Sequence, residues 1–142
     1  PDGSKIAFVS DRSGNVEVYL MSATGHQIKR LTFDPADDWP VSWSPDGRWL
    51  VFSSNRDGNW NLYVVSATGS QPIQLTAHPA DERDPVWSPD GRSIGFVHNG
   101  GGNFDVYTLP VPVGFITEVS ADQWTQITNT PADERFPTWS AN

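Results

Sequence analysis

The sequence predicts an all-β fold in which four-stranded antiparallel sheets repeat along the chain as the blades of a β-propeller. The first observation is a repeated motif: residues 43–48 read Trp-Ser-Pro-Asp-Gly-Arg, and residues 87–92 read the same 44 residues later. The second is that four short apolar or alternating segments, each bounded by turn residues, recur with the motif. A repeat of about 40 to 45 residues with four strands is the period of a propeller blade.

Each repeat supplies four strands, which we name a to d from the channel outward. Strand a is predicted at residues 41–44, 85–88 and 137–140, and strand b at residues 5–10, 49–53 and 93–98. Strand c is predicted at residues 16–20, 60–64 and 104–108, and strand d at residues 27–31, 73–75 and 125–127. Apolar and polar residues alternate along strand c, so one of its faces should be buried. The a-to-b and c-to-d turns share one face of the molecule, and the longer, polar b-to-c and d-to-a loops share the other.

The third repeat departs from the other two in two places. Its b-to-c loop has lost an arginine, because His98, Asn99 and Gly100 stand where the second repeat has Ser54, Asn55 and Arg56. Its c-to-d connection, residues 109–123, is eight residues longer than its counterpart. The apolar residues of this insertion predict partner contact or local packing; they are Pro110, Pro112, Gly114, Phe115 and Ile116.

Composition excludes several classes of function. The chain has 17 acidic and 9 basic residues and a net charge of -8, which argues against a nucleic-acid partner because phosphate binding needs a basic face. No apolar run approaches the roughly 18 residues of a membrane span. The chain has no cysteine, so it forms no disulfide.

The repeats predict a single half-propeller domain over residues 1–142, divided near 1–44, 45–88 and 89–140. Propellers close with about 4 to 8 blades, so three blades leave an open edge, whereas two chains would supply six. We expect a homodimer by strand exchange, in which strand a of residues 137–140 completes the blade begun at residues 1–31 in a partner chain. The alternative is that the chain is half of a longer tandem array.

The d-to-a loops predict a ligand- or partner-binding site at the channel mouth. The candidate residues are Asp37, Asp38, Trp39, Asp81, Glu82, Arg83, Asp133, Glu134, Arg135 and Phe136. One interpretation is an acidic funnel that takes a basic peptide, a polyhydroxylated ligand or a divalent cation such as Ca²⁺. The other is that these acids pair with Arg12 and Arg56 of the b-to-c loops and tie blade to blade. Trp60 and Phe104, beside the same loops, are further contact candidates.

No catalytic site and no resident cofactor are predicted. Residues 91–95 match Gly-x-Ser-x-Gly, but Ser93 starts a strand rather than a strand-to-helix turn, so we interpret the match as accidental. His26, His78 and His98 are interpreted as separate surface histidines, because a metal site needs three or four converging ligands. The recurring Trp43, Trp87 and Trp139 are expected to pack between blades.

Three features together resemble the repeat of the TolB C-terminal propeller family: Trp-Ser-Pro-Asp-Gly before an apolar strand, Ser-Asp/Asn-Arg-x-Gly-Asn after it, and a Tyr-bearing strand c. The resemblance covers essentially the whole chain. It implies a six-bladed ring, a periplasmic or extracellular location, and a non-catalytic binding or scaffold module for a protein or peptide. Two alternatives are a propeller gate of a larger hydrolase or peptidase, and a minimal or engineered half-propeller whose main property is self-assembly.

Overall fold

The structure is a computed structural model that describes residues 1–111 and 117–140. The strands of these residues form three antiparallel sheets. The first sheet contains β1 (Lys5–Ser10), β2 (Glu17–Ser22) and β3 (Lys29–Arg30). The second contains β4 (Asp38–Trp43), β5 (Trp49–Ser54), β6 (Asn61–Ser66) and β7 (Ile73–Gln74). The third contains β8 (Glu82–Trp87), β9 (Ser93–His98), β10 (Asp105–Pro110) and β11 (Thr125–Gln126), with a 3₁₀ turn at Ala121–Gln123.

Strand order in each sheet follows the chain, so neighbouring strands are joined by hairpins. This confirms the all-β, four-stranded blade for the second and third repeats. The first sheet holds only strands b, c and d, because no described residue pairs with the inner edge of β1, where strand a would lie. The chain is therefore a partial propeller of three blade-like sheets. None of its described helices is long and apolar enough to span a membrane.

The Trp-Ser-Pro-Asp-Gly motif forms the a-to-b turn through the same contacts in both complete blades. In the second blade the Ser44 hydroxyl donates to Asp46 Oδ1 at 2.6 Å and accepts the Trp49 amide at 2.9 Å. Gly47 has a φ of 71°, a conformation that glycine adopts without a Cβ penalty. The third blade repeats these bonds around Ser88. The turn chemistry explains why this stretch recurs in the sequence.

The core lies between the sheets, on both faces of the second one. One cluster packs Val51, Leu62 and Val64 against the third sheet, and the other packs Phe52 and Tyr63 against the first. The prediction that strand c buries one face is wrong for β2 and β6, whose residues from Glu17 to Leu20 and from Asn61 to Val65 are all buried. In β6 a neighbouring sheet covers each face.

The predicted strand bounds need four corrections. Strand a begins three residues earlier than predicted, at Asp38 and Glu82, because their amides bond to the carbonyls of Val16 and Trp60 at 2.9 and 2.7 Å. Strand c begins one residue later and runs two residues further, and strand d is only two residues long. Residues 137–140 are not a strand in this chain, because a ladder needs a strand b beside it.

The long c-to-d connection of the third repeat is described only at its two ends. Val119 is buried, and its amide donates to Leu75 O at 2.7 Å, while Val111 packs against the core between the second and third sheets. These residues support local packing. Pro112, Gly114, Phe115 and Ile116, on which the prediction of partner contact rested, lie outside the described residues.

Candidate functional site

The aspartate that follows Pro-Ala in each d-to-a loop attaches that loop to the start of strand c. Oδ1 of Asp37, Asp81 and Asp133 accepts the amides of Val16, Trp60 and Phe104 at 2.9, 3.1 and 2.9 Å. An asparagine from each b-to-c loop holds the same d-to-a loop by donating to two of its carbonyls; the three are Asn15, Asn59 and Asn103. Our sequence reasoning missed these asparagines, although the recurring Gly-Asn pair was their signal. These contacts give the three candidate aspartates a structural role.

The second carboxylate of each loop lies at the start of strand a and is held differently in each repeat. Asp38 is buried, and Arg56 Nη2 lies 3.1 Å from its Oδ1. Burial raises the pKa of Asp38, and the hydroxyls of Ser54 and Thr32 together with Arg56 oppose that rise. Glu134 accepts hydrogen bonds from two threonine hydroxyls of its own loop.

The interpretation that the loop acids pair with Arg12 and Arg56 fits Arg56 alone. That pair joins strands of one blade rather than two blades, because Asp38 and Arg56 both belong to the second sheet. Arg12 forms no ion pair within the described part of the chain. Its guanidinium lies over the rings of Phe8 and Tyr19, 5.2 and 4.9 Å from their centroids.

A cleft of about 450 Å³ opens between the inner strands of the second and third blades. Its lining consists of Trp39, Ser53, Trp60, Arg83, Asp84 and Phe136. Trp39 and Phe136 are 45% and 76% exposed, which is high for large apolar rings. Of the predicted site residues, the structure therefore brings Trp39, Arg83 and Phe136 together in one cleft.

Arg83 is the polar centre of this cleft. Its guanidinium lies 4.7 Å from the centre of the Trp60 ring, and its Nη2 donates to Asp81 Oδ2 at 2.7 Å. Its buried Nε–H has no acceptor among residues 1–111 and 117–140. Arg135, one repeat later, lies over the Phe104 ring at 3.5 Å. Phe104 is buried at 9% exposure, so it serves as a platform rather than a contact surface.

Irregular backbone aims the side chains into the cleft. The register of β4 shifts between Trp39 and Val41, and that of β8 shifts between Arg83 and Val86. Asp84 and Phe136, at equivalent repeat positions, have φ values of 53° and 54°, which non-glycine residues rarely adopt. Bulges and positive φ angles of this kind are common beside binding sites, where they redirect side chains. Burial also raises the pKa of Asp84, against the opposing charge of Arg135.

The interpretation of the histidines as separate surface residues is wrong for two of the three. His98 is buried at 7% exposure, and its Nδ1 lies 3.0 Å from Glu82 Oε1. The His78 ring packs edge-on against it, with 4.7 Å between centroids. His26 is exposed, as expected. Ser93 lies at the start of β9, so the Gly-x-Ser-x-Gly match does not form a nucleophile turn.

These sheets and this cleft define a β-propeller repeat protein with an aromatic cleft at the inner strands. All residues, 1–142, match the TolB beta propeller domain, and the chain belongs to that family.

Three of the similar proteins carry the TolB name. Over 32 residues the chain is 59% identical to the Tol-Pal system protein TolB of Geobacter sulfurreducens, covering 22% of this chain and 7% of that protein. A structure described as a TolB from Agrobacterium tumefaciens matches 99% of this chain and 48% of its own, with 25% identity and a TM-score of 0.83. The crystal structure of TolB from Acinetobacter baumannii matches 82% of this chain and 30% of its own, with 30% identity and a TM-score of 0.72. The chain therefore spans half or less of the length of these relatives.

Proposed function

We propose that this chain is a non-catalytic binding module that holds an extended protein or peptide segment in the cleft between its second and third blades. The observation that carries this proposal is the exposed ring of Trp39, which lines one cleft with Trp60, Arg83 and Phe136. Aromatic side chains and arginine dominate the energetics of protein recognition, because aromatic rings bury a large area with few rotatable bonds and arginine offers several hydrogen-bond donors in a planar group.

The polar group of the cleft supports a peptide as the occupant. The Arg83 side chain is 36% exposed, so the accessible part of its guanidinium can donate to a peptide carbonyl. Apolar side chains of the same peptide would cover Trp39 and Phe136. Family membership is consistent with this proposal, since two similar proteins are named TolB.

The test is selection of peptides from a random display library on the whole chain, followed by calorimetry of the selected peptides. Trp39→Ala and Phe136→Ala should each weaken binding at least about tenfold, the loss that removal of an interface anchor causes. Phe33→Ala is the matched control, because Phe33 is 73% exposed and lies outside the cleft lining. Equal affinity for all three variants would overturn the proposal.

We also propose that a second copy of the chain covers the open edge of β1. In the complete second blade, Asp38 at the start of strand a pairs with Arg56 of the b-to-c loop. Arg12 is the equivalent arginine of the first sheet, which lacks strand a, and Glu134 is the equivalent acid of the last inner segment. Neither forms an ion pair in the described chain. The free edge of β1 can pair with another strand, and the positive charge of Arg12 complements the negative charge of Glu134. Both features support pairing of residues 134–139 with β1 of a second copy.

The mass in solution tests this proposal, together with a charge exchange. Light scattering should give a molar mass of twice 15.7 kDa for the wild-type protein at the higher concentrations used. Arg12→Glu should shift the chain toward the monomer, and adding Glu134→Arg should restore the dimer. A folded wild-type monomer at every concentration would refute pairing between copies.

The periplasmic or extracellular location remains a proposal that rests on family membership. Fractionation of cells that carry the gene naturally, followed by immunodetection, would test it. The hydrolase gate remains an alternative prediction, since no specific contact among the described residues favours it. The half-propeller whose main property is self-assembly remains the other; it shares the pairing of two copies and differs in having no peptide ligand.

A further inference from the structure

The inner edge of the third blade holds a cluster that the second blade does not have. His78, Glu82 and His98 each present a ligand atom, and these atoms all lie within 4.8 Å of one another. His78 lies in the d-to-a loop, Glu82 opens β8, and His98 ends β9. Residues at the equivalent positions of the second repeat are Asp34, Asp38 and Ser54.

We propose that His78, Glu82 and His98 bind Zn²⁺ or another first-row divalent metal ion. Two histidines and one carboxylate form an established donor set for such ions, and they leave a coordination position open. Imidazole nitrogen favours these metals over Ca²⁺ and Mg²⁺, which prefer oxygen. The site is therefore chemically different from an acidic funnel for Ca²⁺.

Burial of Glu82 is a second observation that points to a ligand. Its side chain is 0% exposed, and its Oε2 has no hydrogen-bond partner in the described part of the chain. A metal ion would satisfy an oxygen that the protein leaves unpaired.

The distance between Glu82 and His98 fits a shared metal. Their Oε1 and Nδ1 atoms are 3.0 Å apart, the distance of a hydrogen bond in which one proton lies between them. Two ligand atoms at about 2.0–2.1 Å from a tetrahedral zinc lie only slightly further apart than this. The metal would take the place of that proton with a small outward movement of the two side chains.

His78 is the ligand that has to change its hydrogen bonding. Its Nδ1 accepts the Ala80 amide at 3.1 Å, so its proton is on Nε2 in the metal-free protein. Coordination by Nε2 requires the tautomer with its proton on Nδ1. Nδ1 can then no longer accept the Ala80 amide, so that hydrogen bond is lost. His78 is only partly buried, which leaves a path for the ion.

The surroundings of His98 are built for this ring. A Cβ on Gly100 would lie 2.3 Å from His98 Nε2, so the glycine makes room for the imidazole. Trp124 and Tyr107 pack edge-on against the ring, with centroids 5.4 and 5.1 Å away. These contacts fix the orientation of the ring, as a metal ligand requires.

The test uses the whole chain without a histidine tag, stripped of metal and titrated with ZnCl₂ by calorimetry and with CoCl₂ by visible absorption. We expect calorimetry to give one ion per chain and bound cobalt to show the intense visible absorption bands of a four- or five-coordinate site. In NMR spectra the Ala80 amide resonance should shift when the ion binds. His98→Ser combined with Gly100→Arg rebuilds the arrangement that Ser54 and Arg56 have in the second blade, so this variant should fold.

That double variant and His78→Asn should each lose at least about tenfold in zinc affinity, since each removes one of three protein ligands. The side-chain oxygen of the introduced asparagine would keep an acceptor for the Ala80 amide. His26→Asn is the control, because His26 is exposed and lies outside the cluster. Absence of binding by the wild-type chain, or equal affinity in all variants, would overturn the proposal. Neither result bears on peptide binding at Arg83.

Discussion

Removal of Arg56 is the perturbation whose effect the structure defines most closely. Asp38 is 0% exposed and Arg56 is 16% exposed at the side chain, so the pair is largely shielded from water. Breaking a buried pair by removing one partner costs about 3–5 kcal/mol, because a carboxylate is left buried and uncompensated. We expect Arg56→Ala to lower the free energy of unfolding by about 3 kcal/mol, which corresponds to about 6–12 °C in the melting temperature.

Arg12→Ala is the matched control. The Arg12 guanidinium lies 4.9 Å from the Tyr19 ring, and that of Arg56 lies 4.5 Å from the Tyr63 ring. Each Nε also donates to a serine hydroxyl, at 3.0 and 2.9 Å. The two arginines therefore differ mainly in the carboxylate, and we expect Arg12→Ala to cost less than about 1 kcal/mol. Both variants are made in a Glu134→Gln background, so that Arg12 cannot pair with Glu134 of a second copy.

The cost of Arg56→Ala should depend on pH. Burial raises the pKa of Asp38 above its usual value of 3.8, so folded Asp38 holds its proton more tightly than unfolded Asp38. The free energy of unfolding therefore falls as pH rises from 3.8 to the raised pKa of folded Asp38. Arg56 limits that fall because it opposes the rise in pKa. Without Arg56 the pKa of folded Asp38 rises further. The loss in free energy of unfolding caused by Arg56→Ala is therefore large at neutral pH and becomes smaller as acid protonates Asp38. Urea unfolding at several pH values measures this difference. A penalty that is independent of pH, or equal to that of Arg12→Ala, would refute the reasoning.

Two further substitutions test contacts of the second and third blades. Gly100→Ala places a Cβ 2.3 Å from His98 Nε2 and should cost about 1–3 kcal/mol in urea unfolding, whereas Gly101→Ala, with nothing within 4 Å, should cost far less; equal costs would contradict the packing of His98. Thr76→Val should cost about 1–3 kcal/mol, because the Leu62 amide donates to the Thr76 hydroxyl at 2.8 Å, and Thr76→Ser should recover most of it. If the serine variant is as unstable as the valine variant, the hydroxyl is not the stabilising group.

The repeat itself made most of the fold predictable. Trp-Ser-Pro-Asp-Gly contains a proline, a capping hydroxyl and a glycine in the order that a tight turn needs, so the a-to-b turns and the b strands were placed correctly. Burial of both faces of β6 was not predictable from one repeat, because it depends on the neighbouring sheets. The early start of strand a was missed because Asp38 and Glu82 are charged, and only the structure shows what neutralises them.

The candidate site was predictable in position but less so in detail. Trp39, Arg83 and Phe136 were expected at the channel mouth, and they line one cleft. The acidic residues beside them were expected to face a ligand, yet Asp37, Asp81 and Asp133 bond to backbone amides. The meeting of His78 and His98 was missed because the two lie on different elements, and their approach depends on strand register and on the space beside Gly100.

The central claim is that a peptide binds at Trp39, Trp60 and Phe136, and the indole N–H resonances of the chain test it most directly. The chain has seven tryptophans, so its indole N–H resonances show where a selected peptide binds when that peptide is titrated into ¹⁵N-labelled protein. We predict that the Trp39 and Trp60 signals shift with saturation, while those of Trp49 and Trp43, outside the cleft lining, stay in place. A peptide that binds and moves only signals outside the cleft would contradict the account.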